Sequence, residues 1–137
     1  MATYSIDATG KTVQGRLLTQ VMRLDAVASG GLGVLLLVAG FALDGPLGLP
    51  VGLSMGAGAF LVVWAAALLA IARRPAMNRA AVREVIAINL AWVVASLALV
   101  LAVPVDLTAL GTAFVLGQAA AVGLFAELQL TALRRAS

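Results

Sequence analysis

Few residues in this chain can do chemistry, and their types limit what that chemistry is. There is no His and no Cys among the 137 residues, and only nine Lys or Arg and six Asp or Glu. Disulfides, thiol redox chemistry and His- or Cys-held haem, copper, zinc or iron–sulfur centres fall away. So do His and Cys as general base or nucleophile. What remains is a set of carboxylates and amides inside or beside long apolar runs. Asp25, Glu84 and Glu127 each stand at one end of such a run, with Asn89 one to two turns inside the third. Ser96 and Gln118 lie deeper still. No spacing among them matches a membrane hydrolase site, so an enzyme, a metal site and a cofactor are not expected.

The elements that carry these residues follow from composition. The chain is 63% hydrophobic and 11% charged, with a mean hydropathy of +1.09. Soluble domains average about 45–50% apolar and about 25% charged. Lipid is therefore the expected solvent. A span needs roughly 20 apolar residues to cross about 30 Å of hydrocarbon. Four segments qualify, at about 24–43, 50–72, 84–103 and 107–128. The separators "DGPLGLP" (Asp44–Pro50) and "VPVDLT" (Val103–Thr108) carry Gly and Pro, and Asp106 or Thr108 suits the N-cap of the last helix. The expected fold is an all-α membrane protein, a four-transmembrane-helix bundle.

Charge order sets the expected orientation. Lys11, Arg16 and Arg23 precede span one; Arg73, Arg74, Arg79 and Arg83 lie between spans two and three; Arg134 and Arg135 follow span four. The other two loops hold no Lys or Arg. Basic loops stay in the cytoplasm, so both termini are expected inside, N-in and C-in. Residues 1–23 form a cytoplasmic tail and interfacial segment, 24–133 the bundle, and 134–137 the cytoplasmic C-terminus. Val13, Leu17, Leu18 and Val21 share one helical face, which suggests an amphipathic lead-in helix on the inner leaflet. A plain extension of the first helix fits equally well. The net charge of +3 is a topology signal, because the arginines flank apolar runs, and nucleic acid is not an expected partner.

Depth then assigns roles. A helix rises about 1.5 Å per residue, so from Leu107 Gln118 lies roughly 16 Å down and Glu127 roughly 30 Å down. Asp25, Glu84 and Glu127 fall at the inner boundary, and Gln129 beyond it. The carboxylates and Asn89 are expected as an inner-face polar layer. It either pairs with Arg23, Arg79 and Arg83 to set helix depth, or serves a cationic ligand or a docking partner. Ser96 reaches the same depth as Gln118, and an amide in hydrocarbon needs a partner. A Gln118–Ser96 hydrogen bond is expected, as interhelical glue or as the lining of a small cavity. Gly33, Gly52, Gly56 and Gly117 are expected at helix contacts, within or between chains. Trp64 and Trp92, about 9–12 Å from the inner boundary, are expected to be packed, on one another or on other neighbours, and not to form part of a ligand cage.

The segments "RLDAVASGGLGVLLLVAG" (Arg23–Gly40), "ARRP" (Ala72–Pro75), "VIAINLAWVVAS" (Val85–Ser96) and "FAELQ" (Phe125–Gln129) resemble a group of small bacterial four-helix integral membrane proteins. The resemblance runs over most of the chain from Arg23. It implies the topology and carries no activity. The small multidrug resistance transporters share the size, but their hallmark is a membrane-embedded glutamate in the first span, where this chain has only Asp25. The expected role is an accessory or structural subunit, or assembly factor, of a larger complex in the bacterial cytoplasmic (inner) membrane. The alternative is a small oligomeric transporter or channel using the inner-face carboxylates and Gln118. Expected partners are the bilayer and a larger complex or further copies of the chain.

Overall fold

A computed structural model of the chain describes residues 13–74 and 78–135. The described residues form four helices, α1 (Val13–Leu47), α2 (Val51–Ala72), α3 (Arg79–Leu101) and α4 (Ala109–Arg135). Each is long and apolar enough to cross a membrane. Large apolar side chains stand open, with Leu101 81% and Phe41 75% exposed. Such surface suits a lipid solvent and not water. The chain is a multi-pass membrane protein on this ground.

The helix ends differ from the expected spans, and each difference has a local cause. α1 is one unbroken helix of 35 residues that runs through Asp44, Gly45 and Pro46. Proline's fixed φ is helical, and the cost of its missing N–H is one helical bond, the one to Ala42 O. The last carbonyls of the helix find partners: Thr108 Oγ1 donates to Pro46 O at 2.7 Å and Thr108 N–H to Leu47 O at 3.1 Å. The stop comes at Gly48, whose φ of 71° is left-handed. Its N–H donates back to Asp44 O at 2.8 Å, a C-terminal cap that glycine adopts without Cβ strain. Thr108 also caps α4, accepting from Gly111 N–H at 2.9 Å. α3 starts five residues before the expected Glu84. Asn78 caps it by accepting from Ala80 N–H at 2.9 Å, so Arg79 and Arg83 are helical.

At its N-terminal end α1 is already helical at Val13, while Lys11 lies outside the described residues. Of the face read as amphipathic, Leu18 and Val21 are buried and Leu17 is exposed.

α1 lies between α2 and α4, α3 packs on α4, and α2 and α3 barely touch. The bundle has a basic end, with the α2–α3 connection and the C-terminus, and a two-loop end, with the other two connections. At the basic end all four helices meet around Met22, Leu68, Val82, Val85 and Leu133. At the two-loop end Leu47, Leu49 and Val115 form a smaller cluster.

Only one of the four glycines expected at helix contacts makes a close one inside the chain. A Cβ on Gly33 would lie 2.9 Å from Gly58 O, and one on Gly58 2.8 Å from Gly33 O. This is where α1 and α2 cross. A Cβ on Gly52, Gly56 or Gly117 would meet nothing within 4 Å. The α2 face that meets α1 is Ser54, Gly58, Leu61 and Ala65. Gly52 and Gly56 point away from it. The Gly-x-x-x-Gly spacing marked a real stripe on α2, and the buried stripe is a different one.

Candidate functional site

Three helices each bring polar residues to the same place near the basic end. α1 supplies Asp25 and Ser29, which share a face because they are four residues apart. α3 supplies Asn89, and α4 supplies Gln129. All four are sealed from outside: Asp25 is 1% exposed, Asn89 3% and Gln129 0%. The Asp25 carboxylate accepts every bond it makes. Ser29 Oγ donates to Oδ1 at 3.1 Å, Asn89 Nδ2 to Oδ2 at 2.9 Å and Gln129 Nε2 to Oδ2 at 2.7 Å. Asn89 Nδ2 also donates to Gln129 Oε1 at 3.0 Å, closing a ring of side chains. A carboxylate is an acceptor-only group, so three converging donors suit it.

This corrects the expected inner-face layer. Asp25 and Asn89 do come together. Glu84 and Glu127 are exposed and do not join them. Asp25 is held by amides and a hydroxyl, and Arg79 donates instead to Leu133 O at 3.2 Å, from α3 to α4. Gln129, expected beyond the membrane boundary, is the most buried member. Counting depth measures distance from water along the helix. It misses burial by neighbouring helices that continue past the hydrocarbon, as α1 and α4 do here. A signal for Gln129 was present: it lies eleven residues after Gln118, just over three full turns, so both occupy one stripe of α4. Asn89 and Ser96, seven apart, share a stripe of α3 in the same way.

The second polar group ties α3 to α4 at mid-depth. Gln118 Nε2 donates to Ser96 Oγ at 2.9 Å, the bond expected from depth, and to Val115 O at 2.8 Å. Trp92 Nε1–H, not anticipated here, donates to Gln118 Oε1 at 2.8 Å. Ser96 Oγ in turn donates to Trp92 O at 2.8 Å. Gln118 thus uses both ends of its amide inside the bundle. The tryptophans are packed, but against Phe60 and not on one another. Phe60 stacks on Trp64 at 6.2 Å and on Trp92 at 5.5 Å between centroids. Replacing Gln118 by Leu will strand the Trp92 N–H and lower stability by about 1–2 kcal/mol, the upper range for interhelical bonds in lipid. Thermal unfolding in detergent with tryptophan emission as the readout checks this. An unchanged midpoint would show that the amide bonds are not structural.

Chemically these two groups clamp helices. The carboxylate is enclosed, and its neighbours are two amides and the Ser29 hydroxyl, each committed to it as a donor. Among the described residues, no three His, Cys, Asp or Glu side chains converge to hold a metal ion. No protein-family model matches the chain, and no curated protein or solved structure matches it.

Proposed function

We propose that the chain is an accessory or structural subunit, or assembly factor, of a larger complex in the bacterial cytoplasmic membrane, with both termini on the cytoplasmic side. The observation that carries this reading is the closed Asp25–Ser29–Asn89–Gln129 ring. The one buried carboxylate among the described residues is committed to holding three helices together. Coupled transporters use intramembrane carboxylates as exchangeable sites in water-reached cavities. Here Glu84 and Glu127 face outward, and Gln118 is engaged by Ser96 and Trp92. The polar groups form two separate clamps, which favours a scaffold over a path. All nine cations gather toward one end of the spans, which supports the orientation.

Gentle extraction from native membranes followed by native mass spectrometry tests the role. A mass set by a larger heterologous assembly is expected. A lone chain or homo-oligomer that moves a solute across reconstituted vesicles would overturn the accessory reading and favour the transporter.

A further inference from the structure

Toward the two-loop end α2 and α3 part and leave a groove of about 540 Å³, backed by α1 and α4. Its walls are apolar, with Leu36, Leu53, Leu99 and Phe114 among them. Gly52 and Gly56 form part of the α2 side, and space lies open beyond both. The groove has a floor: Phe60 of α2 and Trp92 of α3 stack at 5.5 Å with ring planes 8° apart. From Gly52 to Phe60 is eight residues, roughly 12 Å along the helix axis.

Three features say what fits. The first is depth. A partner's transmembrane helix is about 10–12 Å across with side chains and needs about 30 Å of length. A groove closed by stacked rings after about 12 Å does not accommodate one, whereas the headgroup-proximal part of a single hydrocarbon chain lies along it. The second is an unsatisfied hydroxyl. Ser54 lines the groove one turn below its mouth, is 2% exposed, and its Oγ has no hydrogen-bond partner. Buried hydroxyls are normally paired. A donor one turn inside the membrane boundary lies at the level of a lipid's ester carbonyl. The third is charge. Asp44 and Asp106 line one concavity formed by the two loops, whose Pro50, Val51 and Pro104 adjoin the groove's Leu49, Gly52 and Val103 along the chain; both carboxylates are exposed, and neither loop at this end contains Lys or Arg. Two carboxylates without a cation repel an anionic headgroup and attract an ammonium.

We propose that this groove binds one acyl chain of an ammonium-headed phospholipid. The ester carbonyl accepts from Ser54 Oγ, and the ammonium lies against Asp44 and Asp106. This goes beyond the accessory role and stands independently of it, because a retained lipid requires no protein partner.

The test uses full-length protein, stripped in detergent and re-equilibrated with vesicles of either phosphatidylethanolamine or phosphatidylglycerol with the same acyl chains. Native mass spectrometry then counts retained lipid. The parent is expected to keep one phosphatidylethanolamine per chain, with at least a tenfold preference over phosphatidylglycerol. Gly56→Leu is expected to abolish retention without lowering the unfolding midpoint, since the added side chain meets open groove and not backbone. Ser54→Ala is expected to weaken retention several-fold. The double variant Asp44→Asn, Asp106→Asn is expected to keep a lipid but lose the preference. Equal retention of the two lipids by the parent would overturn the proposal, as would retention unchanged by Gly56→Leu. A photocrosslinker on Gly56→Cys that captures a protein chain, whether a second copy or another subunit, in place of lipid would also overturn it.

Discussion

Asp25→Ala will unfold this bundle more readily than any other single change to a polar residue, by about 2–4 kcal/mol. Three donors converge on the carboxylate, and they are not equally able to find new partners. Ser29 can turn its hydroxyl to a carbonyl one turn back in its own helix. Asn89 keeps Gln129 Oε1. The Gln129 amide, fully buried, loses its 2.7 Å partner and has no other acceptor. An orphaned buried donor costs about 1–3 kcal/mol by itself. The same logic predicts non-additivity. Once Asp25 is gone, removing Gln129 leaves Asn89 without an acceptor, so both amides must go: Asp25→Ala, Asn89→Leu, Gln129→Leu will be less damaged than the sum of its parts by about 1–2 kcal/mol. Unfolding in mixed micelles, followed by circular dichroism across the parent, the three single variants and the triple variant, measures the coupling. Strict additivity would mean that the ring does not act as a unit. Burying a charge is expensive, so an apolar set of matching volume at all four positions could equal the parent in stability. The ring is then best understood as fixing which helices meet.

The second large effect separates two glycines two residues apart on α2. Gly58→Leu will destabilise by about 3 kcal/mol or fail to insert as a bundle, whereas Gly56→Leu will be neutral or gain up to about 1 kcal/mol. At Gly58 the new Cβ would lie 2.8 Å from a backbone oxygen, that of Gly33, and 3.0–3.1 Å from Leu37 and Leu36 side-chain atoms. Side chains give way, but a helix backbone does not, so α1 and α2 must separate along their whole contact. In lipid that contact is held by dispersion at close approach. Separation loses it without any gain from hidden apolar surface. At Gly56 nothing lies within 4 Å, and leucine is the better helix former. Thermal unfolding of both variants in one detergent decides it. Equal damage at both positions would show that Gly56, too, sits at a contact.

Much of the fold was legible from the chain alone. α2 begins and ends within a residue of its expected bounds because Pro50 and the arginines from Arg73 act on their own stretch of chain. The helix beginning at Glu84 on hydropathy begins instead at Arg79, because Asn78 supplies a cap that hydropathy does not register. α1 runs through Pro46 because Thr108, sixty-two residues later, satisfies its last carbonyls. In the candidate site, the Gln118–Ser96 bond was readable because both residues share one depth and few polar alternatives exist there. Gln129 was not, since depth alone placed it outside.

The sequence by itself determined the number of spans, the gathering of cations toward one end and the poverty of catalytic side chains. These depend on local quantities: the length of an apolar run against bilayer thickness, and the cost of moving a charge through it. Only the tertiary structure decided that Gly33 meets Gly58 and not Gly52 or Gly56, that Asp25 is enclosed while Glu84 and Glu127 stand open, and that α2 and α3 part to form a groove. In water, hydropathy tells the buried face of a helix from the exposed one. In lipid both faces are apolar, so the pattern along the chain is nearly silent about which side meets protein. That choice rests on shape and on where a few hydrogen bonds close, and both are properties of the assembled helices.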